Sequence, residues 1–166
     1  MSTSGALDDP RLALKIEDGF AFVRSTTEHA STLIVLDLTD PGGPSAPLYT
    51  ADFYRACAAR LKPAGAMTLH IASPVAHPDA HPRGARERCG RRFAIVTPYL
   101  TSHAALRRAV DDGVLLGRVS IPACPSPPTV DRRIAAARLR DLQYYNGDMH
   151  RAALALPNFV RALTGP

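Results

Sequence analysis

The stretch TLIVLDLTDPGGPSAPLYTADFYRACAARLKPAGAMTLHIA, residues 32–72, decides the fold. It opens with a near-continuous apolar run, Thr32–Leu38, which is typical of a parallel strand buried on both faces. A turn-rich loop follows, and Thr50 then caps a predicted helix that runs through Leu61. Ala66–Ala72 is the next predicted strand. Strand, loop, helix and strand with short connections predict an α/β fold with a doubly wound sheet.

The rest of the chain gives weaker signals. Leu12–Ile16 alternates in polarity like a short strand, a short helix is predicted from Phe20, and Phe93–Thr97 resembles a further strand. The proline-rich segments Ser73–Pro82 and Ile121–Pro128 are predicted to lie outside the sheet. The remaining predicted helices are Ser102–Val110, Val130–Leu139, Met149–Leu156 with Asp148 as its cap, and Asn158–Leu163.

Length and composition permit one ordinary globular domain. The chain has 166 residues, of which 46% are hydrophobic and 21% charged, and this excludes collagen-like, mucin-like and fully disordered classes. Three cysteines without a CxxC spacing indicate reduced thiols. The first ten residues lack the pattern of a secretory signal, and no apolar run is long enough to span a membrane. The sequence therefore predicts a cytoplasmic protein with no membrane partner.

The formal net charge of +5 is concentrated in one segment. Residues 83–92 contain five arginines and one glutamate, a net charge of +4. This segment has no aromatic residue on which a base could stack, and it lies in no recognisable nucleic-acid-binding motif. We interpret it as a solvated surface and predict no nucleic-acid partner, although a basic surface would predict strongly salt-dependent binding to any duplex.

Three aspartates fall at or just beyond the predicted carboxyl ends of strands, where α/β sheets bind ligands. They are Asp18, Asp37 and Asp40. A turn after the strand could aim Asp37 and Asp40 into one cleft and form an acidic pocket for an amine or a metal. Alternatively, the two aspartates cap the following helix or bond to local backbone groups. Asp18 precedes Gly19, and Asp-Gly is a common turn pair.

Other chemical signals are weak. His77 and His81 are four residues apart, but flanking prolines prevent a helical face that would bring them together, so no metal site is predicted. His70 is interpreted either as a cleft residue or as a core histidine. The sequence contains neither a nucleophile elbow nor a glycine-rich phosphate loop.

Two segments resemble the polyamine aminopropyltransferases, the spermidine synthase family. Residues 37–49, DLTDPGGPSAPLY, are similar to that family's Asp-x-x-Asp-Pro-x-Gly-Pro signature, and Asp18-Gly19 precedes it at the family's distance. Residues 142–150, LQYYNGDMH, with ALP at 155–157, are similar to its Tyr-Tyr-Asn…His…Ala-Leu-Pro tail. The likeness covers Leu7–Pro74 and Asp131–Leu163, whereas the Arg- and Pro-rich residues 79–128 diverge.

The resemblance implies a Rossmann-like fold of the S-adenosylmethionine-methyltransferase type with strand order 3-2-1-4-5-7-6. The family's glycine-rich nucleoside loop, its first two strands and its small N-terminal β-domain have no counterpart in residues 1–166. We therefore interpret residues 1–166 as a partial, N-terminally truncated aminopropyltransferase domain. Leu12–Ile16 would then have no neighbouring strand, and Thr32–Leu38 would lack a partner on one side.

The resemblance also implies an activity. An aminopropyl group would move from decarboxylated S-adenosylmethionine, as co-substrate, to putrescine, giving spermidine and methylthioadenosine without a further cofactor or metal. Asp37 would accept the proton and, with Asp40, hold the polyamine. Asp18 and Gly19 would contact the nucleoside, and Pro44 would line its pocket. A homo-oligomer is expected, weakened by the loss of the N-terminal domain.

Two alternatives stay open at this point. The chain could be an inactive remnant, or it could associate with an intact paralogue. A methyltransferase on the same fold fits less well, because it would need a glycine-rich nucleoside loop and would leave the Asp37/Asp40 pair without a role.

Overall fold

The computed structural model describes residues 6–25, 30–38, 43–70, 93, 95–101, 112–118 and 124–164. These residues form an α/β fold with one sheet. Its strands are β1 (Ser31–Leu36), β2 (Leu61–His70), β3 (Ile95–Thr101) and β4 (Asp112–Arg118). The helices are α1 (Gly19–Ser25), α2 (Ala51–Arg60), α3 (Pro127–Ala136), α4 (Gly147–Ala153) and α5 (Asn158–Thr164), with 3-10 turns at Ala6–Asp8 and Gly43–Tyr49.

The sheet order is β1-β2-β4-β3. β1 and β2 are parallel, with Leu33 opposite Ala66 and Leu36 opposite Leu69. β4 runs antiparallel to both β2 and β3. This arrangement confirms the predicted α/β class. It also matches the last four positions, 4-5-7-6, of the Rossmann-like order that the resemblance implies.

Helix α2 connects the two parallel strands and forms as predicted. The Thr50 hydroxyl accepts a hydrogen bond from the backbone N–H of Phe53 at 3.3 Å, so Thr50 is the N-cap. Phe53, Cys57 and Leu61 share one buried face. The helix ends at Arg60, one residue earlier than predicted, because Leu61 has extended backbone angles and begins β2.

The core lies between α2 and one face of β2. On that face Met67 and Leu69 are fully buried, and they join the buried face of α2 in one cluster with Phe93 and Tyr49. Alternate residues of β2, including Ala66 and Thr68, point to the opposite face and are half-buried. The sheet therefore has two different surfaces, and only one of them carries the main core.

Two predictions for the edge of the sheet were wrong. Leu12–Ile16 is not a strand: it has no regular structure, and Ile16 is 95% exposed. β1 is not buried on both faces either, since Leu33 is 55% and Val35 62% exposed. The two differences have separate physical reasons. A strand needs a hydrogen-bonded neighbour, and among the described residues none pairs with the outer edge of β1, as the resemblance implied. Leu33 and Val35 alternate with Ile34 and Leu36, which pack against the core, so they point to the opposite face of β1 and are exposed there.

Several predicted boundaries also move. Residues 62–65, which separate the predicted helix from the predicted strand, form the first part of β2. Helix α3 begins at Pro127, three residues before the predicted start, since proline is tolerated in the first helical turn. Helix α4 is capped by Asn146 rather than Asp148, because the Asn146 side chain accepts the Met149 N–H at 2.8 Å. The predictions for 73–82 and 102–110 lie outside the described residues.

Candidate functional site

Asp37 lies at the carboxyl end of β1. The strand ends at Leu36, whose partner in β2 is Leu69, so Asp37 lies beside the end of β2, close to His70. Its side chain is exposed, and among the described residues nothing bonds to its carboxylate. This is the edge of a parallel sheet at which α/β proteins bind ligands. The sequence therefore placed Asp37 at the edge where the structure has it.

Residues 39–42 lie outside the described residues, and the described part of the chain resumes at Gly43. Asp40 lies outside the described residues, so its position relative to Asp37 stays a prediction. Gly43 has a φ of +79°, a left-handed conformation that glycine adopts without steric cost. Pro44 follows it in the 3-10 turn and is exposed. Tyr49, at the end of that turn, is buried in the core and anchors the turn there.

Asp18 has a structural role that the sequence reasoning missed. One of its carboxylate oxygens accepts a hydrogen bond from the Ala21 N–H at 2.7 Å, and its carbonyl accepts the Phe22 N–H at 2.9 Å. Asp18 therefore caps α1. Its predicted position at the carboxyl end of a strand was wrong, because Leu12–Ile16 is not a strand, and its contact with the nucleoside stays a prediction. Gly19 begins the helix and is exposed, with open space where a side chain would be.

Helix α1 is held against α2 by aromatic contacts. The rings of Phe20 and Phe53 stack with their centroids 5.6 Å apart. The guanidinium of Arg60, which is only 9% exposed, lies over the ring of Phe22 at 4.7 Å from its centroid. These contacts fix the position of Asp18 relative to the α2 framework. Asp18 lies at the start of α1 and Asp37 follows the end of β1, and no hydrogen bond joins the two side chains.

A second cluster of polar side chains lies among the C-terminal helices. The Cys124 Sγ is 3.3 Å from His150 Nε2, and the Tyr145 hydroxyl is 2.8 Å from His150 Nδ1. Burial raises the pKa of Tyr145, and the nearby Cys124 and Tyr99 raise it further. Sequence reasoning did not find this cluster, because Cys124 and His150 are 26 residues apart and no motif links them.

Two further findings concern the described part of the chain. There, no three His, Cys, Asp or Glu side chains come close enough together to hold a metal ion. None of the helices described has both the length and the apolar character needed to cross a bilayer.

Comparison with known proteins identifies the family. Residues 1–105 match the spermine/spermidine synthase domain. The chain is 41% identical over 161 residues to the polyamine aminopropyltransferase of Nitrosomonas europaea, with 96% of this chain and 48% of that protein covered. For the corresponding enzyme of Clostridium perfringens the identity is 34%, and 97% of this chain and 55% of that protein are covered.

A solved structure gives the same result. Spermidine synthase from Thermotoga maritima superimposes with a TM-score of 0.81 at 27% identity, over 98% of this chain and 52% of that one. The chain thus spans about half the length of the relatives it matches. Because the family match covers well over half of its residues and the sheet has the same fold, the chain belongs to the spermine/spermidine synthase domain family.

Proposed function

We propose that this chain carries a polyamine aminopropyltransferase site, which transfers an aminopropyl group from decarboxylated S-adenosylmethionine to putrescine. In this proposal Asp37 and Asp40 hold putrescine, and Asp37 accepts its proton. Asp18, Gly19 and Pro44 contact the nucleoside of decarboxylated S-adenosylmethionine. One observation carries the proposal: Asp37 presents an exposed carboxylate, without a partner among the described residues, at the ligand-binding edge of the sheet.

The chemistry requires such a carboxylate. An alkyl amine has a pKa of roughly 10, so it must lose a proton before its nitrogen can attack carbon. The nitrogen then bonds to the aminopropyl carbon beside the sulfonium, and the carbon–sulfur bond breaks with its electron pair going to sulfur. The leaving group is a neutral thioether, and the amine proton goes to Asp37. The step needs no negative charge to be stabilised on the leaving group.

The proposed nucleoside contacts have partial support. Among the described residues, Asp18 uses one carboxylate oxygen to cap α1, which leaves its second oxygen available to accept a hydrogen bond from the amino group of the adenine. Gly19 and Pro44 are both exposed, and no side chain of the described residues fills the space at Gly19. The contacts of Phe20 with Phe53 and of Arg60 with Phe22 hold the turn at Asp18 and Gly19 in place.

A cytoplasmic location stays a prediction.

A second candidate function is association with another polypeptide, which we infer from the edge of the sheet. β1 is paired on one side only among the described residues, and it exposes Leu33 and Val35. A strand added to this edge would pair with its backbone groups and place its own side chains beside Leu33 and Val35 on the same face. An intact paralogue and a second copy of this chain would both supply such a strand.

The activity is tested by incubating the chain with putrescine and decarboxylated S-adenosylmethionine and measuring spermidine and methylthioadenosine by liquid chromatography. Asp37→Asn should lower the rate by roughly 100-fold or more, since it removes the proton acceptor. Asp52→Asn is the matched control, because Asp52 is an exposed aspartate of α2 that pairs only with Arg55 among the described residues. Absence of product, or product that Asp37→Asn leaves unchanged, would refute the proposal.

A further inference from the structure

Cys124, His150 and Tyr145 form a continuous chain of polar contacts. The Sγ of Cys124 is 3.3 Å from Nε2 of His150, and Nδ1 of His150 is 2.8 Å from the hydroxyl oxygen of Tyr145. The two rings meet edge to face, with centroids 6.0 Å apart and planes at 86°. When Nδ1 carries the proton and donates it to the phenol, Nε2 is the acceptor that faces the thiol.

The helices around this cluster hold His150 in place. The backbone N–H of His150 donates to the carbonyl of Asn146 at 2.9 Å in the first turn of α4. The N–H of Gly147 donates to the Asp131 carboxylate of α3 at 2.8 Å, which joins the two helices. A side chain at Gly147 would lie 2.3 Å from the carbonyl oxygen of Pro127, so this close approach requires glycine. The imidazole is therefore carried by a well-packed helix pair.

A cavity of about 480 Å³ lies beside the cluster. His150 and Tyr145 form part of its wall, and Arg133 contributes one cationic group. Cys124 is exposed and is not itself a wall residue; it precedes Pro125, which is one, and contacts the wall residue His150. Most of the remaining wall is apolar, formed by side chains that include Ala66, Val130 and Ile134. Its volume suits a small organic ligand.

This cavity is separate from the site proposed above. Ala64, which also lines it, precedes Leu69 by five residues, about 16 Å along an extended strand. Leu69 pairs with the last residue of β1, next to Asp37. The cavity extends along β2 as far as Ala66, which precedes Leu69 by three residues, about 10 Å, so a ligand in one site does not occupy the other.

We propose that Cys124 is a nucleophilic cysteine, with His150 as its general base, that binds covalently a small carboxylate-bearing electrophile seated in this cavity. The Sγ attacks the electrophilic carbon and the Sγ–C bond forms. The bond from that carbon to its leaving group breaks, and the electron pair departs with the leaving group. The thiol proton goes to His150 Nε2. Tyr145 accepts the Nδ1–H of the resulting imidazolium and acts as a positioning residue.

Arg133 specifies the charge of the ligand. It is the guanidinium among the lining residues, and the wall that the described residues form contains no carboxylate. An apolar cavity with one guanidinium selects a ligand that has an apolar body and one anionic group. The inference does not depend on aminopropyl transfer, because it uses none of the residues assigned to that reaction.

Iodoacetate and iodoacetamide test the proposal directly, because they differ in charge and share iodide as the leaving group. The three cysteines fall on different tryptic peptides, 56–60, 89–91 and 119–132, so mass spectrometry measures each alkylation rate separately. At pH 7, Cys124 should react at least tenfold faster than Cys57, which is fully buried. His150→Gln should lower the Cys124 rate at least tenfold for both reagents.

Arginine variants test the ligand class. Arg133→Gln should lower the iodoacetate rate at Cys124 at least threefold and leave the iodoacetamide rate within twofold. Arg132→Gln is the matched control, because Arg132 is the adjacent arginine of α3 and does not line the cavity. Its ratio of iodoacetate to iodoacetamide rates should equal that of the unmodified chain.

Two outcomes overturn the proposal. One is an alkylation rate at Cys124 in the His150→Gln variant that is within twofold of the rate in the unmodified chain, while the thermal unfolding of the variant is unchanged. The other is a ratio of iodoacetate to iodoacetamide alkylation rates at Cys124 that Arg133→Gln does not alter. If His150→Gln disrupts the fold, the buried Cys57 becomes exposed and its alkylation reveals the unfolding. The effect of Arg133→Gln on the ratio of the two alkylation rates then tests the proposal.

Discussion

Arg60 of α2 donates a hydrogen bond from Nη1 to the carbonyl oxygen of Phe22 in α1, at 3.4 Å, while its guanidinium lies over the ring of the same residue. One side chain thus binds both the backbone and the ring of a single residue on the neighbouring helix. Asp18 and Gly19 are at the start of that helix. The position of the proposed nucleoside contacts therefore depends on a nearly buried arginine.

Arg60→Met should destabilise the chain by about 1–2 kcal/mol, because it removes a hydrogen bond and a cation–π contact that are shielded from water. Urea unfolding followed by circular dichroism measures the change. Arg55→Met is the matched control on the same helix, since Arg55 is 51% exposed and pairs with Asp52 at the surface. A change below about 0.5 kcal/mol is expected there. Equal losses for the two variants would contradict the assigned role of Arg60.

Substitutions at Asp18 distinguish its role as the N-cap of α1 from its proposed contact with the nucleoside. Asparagine is as good an N-cap as aspartate, so Asp18→Asn should leave the unfolding free energy nearly unchanged, whereas Asp18→Ala should cost about 1 kcal/mol. If the carboxylate also binds the nucleoside, Asp18→Asn should weaken methylthioadenosine binding in a calorimetric titration. Equal affinity of the Asp18→Asn variant and the original chain for methylthioadenosine would leave Asp18 with its cap alone.

Gly147→Ala should destabilise the packing of α3 against α4. The added methyl group would lie 2.3 Å from the Pro127 carbonyl oxygen and 2.8 Å from the Asp131 carboxylate, so the helices must separate at a cost of about 1–3 kcal/mol. Gly19→Ala is the control, because a side chain there meets no atom within 4 Å. Thermal unfolding should show a clear loss for the first variant and a change within about 0.5 kcal/mol for the second. Similar midpoints for both variants would contradict this close approach.

Tyr145 should make the chain less stable at alkaline pH. Burial, together with the electrostatic effect of Cys124 and Tyr99, raises its pKa above the ordinary value of 10.0, so the folded state favours the protonated phenol. This contribution is fully present below pH 10.0 and is lost as the pH rises through the folded-state pKa. Unfolding free energies measured from pH 8 to 11 should therefore fall less steeply for Tyr145→Phe than for the original chain.

Tyr144→Phe provides the comparison for that experiment, because Tyr144 is the adjacent tyrosine, whereas the hydroxyl that contacts His150 belongs to Tyr145. Its pH dependence should match that of the original chain. Parallel curves for Tyr145→Phe and the original chain would show that this phenol does not contribute to alkaline unfolding.

The sequence predicted those elements whose signals are local. The cap at Thr50 and the four-residue spacing of Phe53, Cys57 and Leu61 lie within one short stretch, and the structure confirms the helix they define. Leu12–Ile16 failed for the opposite reason: its alternation is that of a strand, but strand formation depends on a neighbour that the pattern does not specify. Local periodicity predicts which residues can pair, while the pairing itself is a tertiary property.

The same distinction between local sequence patterns and tertiary contacts applies to the candidate sites. Asp37 could be located from the sequence, since the end of an apolar strand is visible in the pattern and the carboxyl ends of parallel strands share one edge. The contact of Cys124 with His150 could not, because it depends on how α3 and α4 pack. The cap at Asn146 was missed by two residues, as Asp148 is an equally suitable capping residue type.

The alternation of β2 allows its two surfaces to change independently. Met67 and Leu69 face the core under α2, whereas Ala64 and Ala66 contribute to the cavity. A substitution at Ala66 can reshape the cavity without touching the packing that holds Asp37 at its edge. An insertion or deletion of one residue has a different effect, because it would turn the core side chains toward the cavity. Point substitutions, rather than changes in strand length, are therefore the way by which this chain can acquire new ligand preferences.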